Sequence, residues 1–201
     1  DGPGTRLRLR TEVLGGTLEA LLDGEADLAI GVGGATTLPA GIELKPLGDI
    51  DFVFAVAPHH PLAAHEGPIA DDELLRHRAV AVADSAQRLS PVTVNLLPGQ
   101  DVFTVASTQT KIEAQVRGLG CGFLPEALVR GHIGAGRLVV KPVQRQHHKA
   151  QLGYAWRSAA VPQPRKAPQG LALSWWLQQL ESAATRQALL QHHWGLIQAV
   201  D

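Results

Sequence analysis

A helix, its stop signal and a buried strand follow one another within residues 19–31, and this compact run constrains the fold more than any other feature. Thr17 can cap the start of the helix, and Gly24 stands where a left-handed residue commonly ends one. Residues 26–32 then form an apolar run, which is expected of a strand buried on both faces. The helix is indicated by three leucines that share one face: Leu18, Leu21 and Leu22.

An upstream strand completes this predicted unit. Charged and apolar side chains alternate over residues 5–13, which is the period of a strand with one covered face. A strand, a helix and a second strand within about thirty residues predict a right-handed βαβ crossover. The first part of the chain is therefore predicted to be α/β.

A passage between two lobes is predicted after the apolar strand at residues 51–57. Pro58 and Pro61 follow it, and because neither supplies a backbone donor, regular pairing cannot continue. Residues 151–156 are predicted to return as a strand. A later helix should dock on a sheet through an apolar stripe at helical spacing: Leu173, Trp176, Leu177 and Leu180.

The strand and helix pattern starts again between these passages. An apolar run at residues 79–83 predicts a buried strand that ends before Asp84. Residues 101–106 predict a further strand, which leads into a helix. Thr110 and Glu113 match a capping box at the start of that helix.

Composition excludes several classes of protein. The chain has 201 residues, 45% of them hydrophobic, which is typical of a globular protein. Its 18 basic and 19 acidic side chains nearly cancel, so no strong field draws it onto nucleic acid or an anionic membrane. A single cysteine, Cys121, rules out an intramolecular disulfide and suits a reducing cytoplasm, where we expect the protein to reside.

Three segments resemble the LysR-type transcriptional regulators in order and spacing: residues 21–30 (LLDGEADLAI), 57–63 (APHHPLA) and 116–125 (VRGLGCGFLP). The resemblance covers residues 3–180 and implies a type 2 periplasmic-binding-protein-like fold, with two Rossmann-like lobes joined by two crossover strands. The implied first lobe comprises residues 1–57 and 157–201, and the second comprises residues 58–156. Family effector domains begin with a further strand and a long helix that are not visible here, which puts the pocket and the dimer interface in question.

By this resemblance, a small organic effector, aromatic or carboxylate, binds in the cleft between the lobes. Helix N-termini and strand carboxyl ends meet in such clefts and favour anionic groups. Each candidate also has a plainer interpretation: Ser107 as an N-cap, the glycines and Asp84 as turn residues, and Phe123 as core. The implied lining residues are Leu14, Gly15, Gly16, Val32, Gly33, Gly34, Asp84, Ser85, Ser107, Thr108, Gln109 and Phe123.

The sequence lacks the patterns of common catalytic and cofactor sites. Three histidine pairs (His59-His60, His147-His148 and His192-His193) do not have zinc-ligand spacing, because adjacent side chains diverge in helices and strands. Cys121 between glycines is more readily explained as a small core residue than as a nucleophile. No dinucleotide fingerprint, phosphate loop or nucleophile elbow occurs. We therefore expect no metal, no cofactor and no catalysis.

The resulting hypothesis is the effector-binding domain of a bacterial LysR-type regulator. The resemblance implies a homodimer or homotetramer, and DNA contact through an N-terminal winged helix-turn-helix that is absent from this sequence. A solute-binding protein of a transport system shares the implied fold and is the main alternative. An enzyme such as a prephenate-type dehydratase is a third possibility, although no acid-base constellation supports it.

Overall fold

The computed structural model describes residues 6–33, 38–89, 94–145, 149–158 and 170–191. Its strands are β1 (Leu28–Gly33), β2 (Ile42–Val56), β3 (Ala79–Val82), β4 (Val102–Val105), β5 (Gly122–Pro125), β6 (Val139–Val140) and β7 (Lys149–Arg157). Its α-helices are α1 (Gly15–Leu22), α2 (Asp71–Leu74), α3 (Thr108–Val116), α4 (Glu126–Gly134), α5 (Leu171–Glu181) and α6 (Ala183–Gln191), and a 3₁₀ helix covers Pro61–Ala64. The predicted α/β class is confirmed.

Two long antiparallel strands form the centre of the larger sheet. β2 pairs with β7 from Ile42 opposite Arg157 to Asp51 opposite Lys149. β1 pairs with the other edge of β7. From Phe52 onwards β2 pairs instead with β5, and its last residues pair with β6. One strand therefore connects two groups of pairing partners, while the predicted lobe boundaries stay a prediction.

A smaller parallel pair lies beside this sheet. β3 and β4 run parallel, with Ala79 opposite Val102 and Val82 opposite Val105. A parallel bridge between Ala79 and Cys121 connects β3 to the start of β5. These two strands agree with the strands predicted at residues 79–83 and 101–106.

Separate apolar clusters cover the faces of these sheets. One contains the T-shaped pair Phe54 and Phe123, whose ring centroids are 5.4 Å apart. Another lies under α5, where Leu180 is fully buried against Tyr154 and Trp156. The predicted docking of the α5 stripe is thus confirmed, and its neighbour Trp175 remains half-exposed.

The predicted strand at residues 5–13 is wrong. Residues 6–13 have no strand structure, and the side chains meant to face a core, Leu7 and Leu9, are 72% and 96% exposed. An alternating pattern forms a strand only where a sheet edge can pair with it. In the described residues, β1 instead pairs antiparallel with β7, so the predicted βαβ crossover is wrong as well.

The start of α1 also differs from the prediction, although its end does not. The helix begins at Gly15, so Thr17 lies inside it and is not its cap. The first backbone donors are bound by Asp84, which is remote in sequence, and no local cap is needed. Gly24 has φ +76° and stands two residues after the helix, as its position in the sequence predicted.

We expect Gly153→Val to destabilise the protein by about 1–3 kcal/mol, because it overpacks the central sheet. A Cβ at this position would lie 2.6 Å from Leu44 Cδ1 and 2.9 Å from the Lys45 carbonyl oxygen. Urea denaturation measures the free energy of unfolding. The control is Gly134→Ala on α4, where a Cβ meets nothing within 4 Å, and a gain of about 0.4–1 kcal/mol is expected. Equal effects would contradict this packing.

Candidate functional site

The parallel pairing of β3 and β4 brings two predicted site segments to one edge. Val82 lies opposite Val105, so both strands end level with each other. Asp84 and Ser85 follow the first strand, and Ser107 follows the second. The carboxyl edge of a parallel sheet is where α/β proteins place their ligands.

The N-terminus of α1 approaches this edge and is capped by Asp84. The backbone N–H of Gly15 donates to Asp84 Oδ2 and that of Gly16 donates to Asp84 Oδ1, both at 3.2 Å. The carboxylate therefore binds two of the donors that a helix cannot satisfy itself, and its charge is favourable at this end of the helix. Leu14, just before the helix, holds the positive φ of 50° that turns the chain into it.

Ser85 forms hydrogen bonds with the two residues Glu12 and Val13, which precede α1. Its Oγ accepts a hydrogen bond from the Val13 N–H at 2.8 Å and donates to Glu12 Oε2 at 2.8 Å. The approach requires glycine, because a Cβ on Gly16 would lie 2.0 Å from Ser85 Oγ. Four predicted site residues, Gly15 and Gly16 with Asp84 and Ser85, are thus in direct contact.

Glu19 makes the reciprocal contact from within α1. Its buried carboxylate accepts from the backbone N–H groups of Gln87 at 3.0 Å, Arg88 at 2.9 Å and Leu89 at 3.1 Å. The Arg88 hydrogen bond, followed by that of Leu89, lowers the pKa of Glu19. We call the contacts of Asp84, Ser85 and Glu19 between α1 and residues 84–89 the latch.

A polar cavity of about 110 Å³ lies beside the latch. Its charged lining is already paired, since Arg10 bonds both Glu12 and Glu25, and Arg88 bonds Asp23 at 2.9 Å. These five charged side chains are therefore all engaged in ion pairs with one another. It is lined by Arg10, Glu12, Gly16, Glu19, Ala20, Asp23, Glu25, Ser85, Gln87 and Arg88.

Ser107 is the N-cap of α3, so the capping box predicted at Thr110 is wrong. Ser107 Oγ accepts from the Thr110 N–H at 3.1 Å, and Glu113 instead pairs with Arg117. Thr108 and Gln109 are the first residues of the helix, and their N–H groups have no hydrogen-bond acceptor within the described chain. These two donors lie at the same edge as the latch.

The remaining predicted site residues lie apart from these contacts. Val32 is 5% exposed in β1, where it packs in an apolar cluster, and Gly33 faces open space. Phe123 packs on Phe54 in the core, in agreement with its plainer interpretation. Gly34 lies outside the described residues.

Lys111 and Gln115, on one face of α3, were not singled out from the sequence. Burial lowers the pKa of Lys111 to about 8, and no carboxylate pairs with it in the described part of the chain. Gln115 is fully buried, and neither its Nε2 nor its Oε1 has a hydrogen-bond partner there. The available signal was their spacing, since residues four apart share a helix face, here beside the apolar Ile112.

The histidines and the cysteine have structural contacts. His60 is buried and its Nδ1 accepts from the Leu62 N–H, which caps the 3₁₀ helix. Burial raises the pKa of Cys121 to about 11, and its thiol donates to the Arg78 carbonyl. No group of three potential metal ligands occurs among the residues that the structure describes. The other two histidine pairs, at residues 147–148 and 192–193, lie outside them.

Residues 1–185 match the family described as the LysR substrate binding domain. The chain belongs to this family. Its fold, a periplasmic-binding-protein-like α/β fold, is shared with the regulatory domain of NMB2055 (MetR), a LysR family regulator from N. meningitidis. That likeness has a TM-score of 0.60 at 20% identity and covers 87% of this chain and 76% of that one.

Curated relatives of this LysR domain are transcriptional regulators. The HTH-type transcriptional regulator YeeY of Escherichia coli (strain K12) is 37% identical over 172 residues, 86% of this chain and 53% of that protein. The HTH-type transcriptional activator AllS of Klebsiella pneumoniae is 36% identical over 137 residues, 68% of this chain and 51% of that protein. The chain spans about half the length of these relatives.

These relationships confirm the predicted family and fold, and they confirm the prediction of an effector-binding domain rather than an enzyme. They give no support to the transport alternative. Within the parts of the chain that the structure describes, no helix is both long and apolar enough to cross a membrane.

We expect Asp84→Ala to lower the free energy of unfolding by about 1–2 kcal/mol, because the N–H groups of Gly15 and Gly16 lose their acceptor. Urea denaturation at neutral pH provides the measurement. Asp49→Ala, which removes an exposed carboxylate, is the matched control and should leave stability nearly unchanged. If both variants were equally stable, the cap on α1 would contribute nothing.

Lys111→Met is expected to stabilise the protein at pH 7, by no more than about 3 kcal/mol, because it removes a partly buried cation. The pKa of this amine falls from 10.5 to about 8 in the folded protein, where the Cys121 thiol faces it. Between these values the unfolded chain binds more protons, so the wild type gains stability as the pH rises. The advantage of the variant should therefore shrink from pH 8 to pH 10.

Urea denaturation across this pH range measures the difference between the two proteins. Lys149→Met, which removes an amine that is 65% exposed, serves as the control and should show no such trend. A constant difference between Lys111→Met and the wild type would contradict the lowered pKa.

Proposed function

We propose that this domain senses a small organic acid at the shared edge of β3 and β4 and belongs to a longer transcriptional regulator. Regulators of the LysR family bind small-molecule effectors, and they bind DNA through an N-terminal domain. For this chain, effector binding, DNA contact through an attached domain and residence in the cytoplasm are all parts of the proposal.

The observation that supports the proposal is that Asp84, which caps α1, and Ser107, which caps α3, follow strands that end level with each other. The first donors of α1 already bind a carboxylate, that of Asp84. The first donors of α3, at Thr108 and Gln109, have no acceptor in the described chain. Backbone N–H groups at helix N-termini favour anions, which supports an acid as the ligand class.

Such a ligand could act on the latch, in particular on the hydrogen bonds that Asp84 accepts from Gly15 and Gly16. An acid bound near α3 introduces a second negative charge beside Asp84 and weakens its hold on Gly15 and Gly16. A ligand shifts an equilibrium only by its differential affinity for the two states. Sensing would then be a change in the fraction of molecules in which the latch is formed. A homodimer or homotetramer would transmit this change to the DNA-binding domains.

The test is a thermal-shift screen of aromatic and aliphatic carboxylic acids on the full-length protein. Ligands that stabilise the wild type are then measured on Ser107→Ala and on Thr108→Pro, each relative to its own ligand-free melting temperature. Proline is tolerated at the first position of a helix and removes the backbone N–H of Thr108. We expect both variants to lose at least half of the ligand-induced shift. Ser174→Ala, an exposed position on α5, should keep the whole shift.

Two outcomes would overturn this proposal. If no acid stabilised the full-length protein, sensing of this ligand class would be wrong. If an acid stabilised all three variants as well as the wild type, the start of α3 would not belong to the site. Subtracting each variant's ligand-free melting temperature separates these results from the stability that loss of the Ser107 cap removes.

A further inference from the structure

Two polar side chains lie side by side beneath α3. Lys111 and Gln115 are four residues apart, so both project from one face of the helix. Gln115 is fully buried, and its Nε2 and Oε1 have no partner in the described residues. Most buried amides are hydrogen-bonded, and each exception needs a physical explanation.

The neighbouring backbone is arranged closely around this pair. A Cβ built on Gly122 would lie 3.1 Å from Gln115 Nε2, 3.5 Å from Lys111 Nζ and 3.4 Å from the Val80 carbonyl oxygen. Gly122 has φ +154°, so a larger residue would be strained there as well as crowded. An amine and an amide therefore converge on a position where the chain carries no side chain.

Nothing in the described chain neutralises this amine. No carboxylate forms an ion pair with Lys111, and the titratable group facing it is the Cys121 thiol. That thiol donates to the Arg78 carbonyl, and burial keeps it protonated by raising its pKa to about 11. A partly buried cation without a counter-ion loses hydration and is costly, whereas a bound anion would stabilise it.

We propose that Lys111 and Gln115 form an oxyanion subsite that receives the carboxylate group of the effector. The Lys111 ammonium group supplies the charge, and Gln115 Nε2 donates a hydrogen bond to one carboxylate oxygen. Such a pair selects acids over neutral amides of the same shape, because a neutral group leaves the cation uncompensated. This inference rests on the proposed function and assigns to these two residues the recognition of the acid group.

The test follows the charge of Lys111 directly in the full-length protein. Its lysines are dimethylated with ¹³C-formaldehyde under reducing conditions, and the resonance of Lys111 is assigned by its absence from Lys111→Met. The NMR titration is run in sodium acetate and in sodium chloride at the same ionic strength of about 0.1 M. We expect acetate to raise the pKa of Lys111 by about half a unit or more.

The pKa of Lys45, whose side chain is half-exposed, should be the same in the two salts and serves as the control. Gln115→Leu, which keeps the amine but removes the amide, should reduce the acetate effect on Lys111. An equal pKa of Lys111 in acetate and chloride would overturn the subsite, and so would an acetate effect that Gln115→Leu leaves intact.

Failure of the subsite can be distinguished from failure of sensing. If an acid from the screen stabilises the protein while acetate leaves Lys111 unaffected, the subsite is wrong and the sensing proposal stands. If acetate shifts Lys111 but no acid in the screen stabilises the protein, the anion site stands and the sensing proposal is wrong.

Discussion

The carboxylate of Asp84 at the start of α1 is the interaction on which the candidate site depends. It joins two segments of the chain. Asp84 is 69 residues from Gly15 and 68 residues from Gly16 in sequence, and it replaces the local side-chain cap that α1 lacks. Because Glu19 binds the N–H groups of residues 87–89 in return, the two segments are held by carboxylates from both sides. Hydrogen bonds to an ionised carboxylate are stronger than those between neutral groups, so this contact holds the two segments firmly.

The sheet supplies the rigid frame for these contacts. β2 pairs with β7 over most of its length and then with β5 and β6. A bridge between Ala79 and Cys121, just before β5, connects this end of β2 to β3. The register of β3 and β4 fixes where Asp84 and Ser107 emerge. A site carried on strand ends is held more precisely than one carried on loops alone. The latch joins the start and interior of α1 to residues 84–89, which follow β3.

Local patterns predicted the elements whose cause is local. The stop of α1 at Gly24 and strands β3 and β4 follow from backbone preference and apolar runs, and the structure contains them. Thr17 was wrong as a cap because the true partner, Asp84, is distant in the chain, and no periodicity reports such a partner. The strand predicted at residues 5–13 was wrong for a related reason, since alternation describes a face but not the edge that must pair with it.

Lys111 and Gln115 oppose the stability that the latch supplies. The latch satisfies donors that would otherwise be unpaired. This pair, in contrast, holds a partly buried cation and a fully buried amide without partners in the described chain. Sequence patterns such as apolar periodicity and caps identify residues that stabilise the fold. Lys111 and Gln115 destabilise it, so such patterns hardly reveal them. Departures from consistent local and global preferences are expected at functional sites, where ligand binding rather than folding accounts for the residue. Stability alone would favour an apolar residue at each position, which is why the pair is better explained by an anion than by packing.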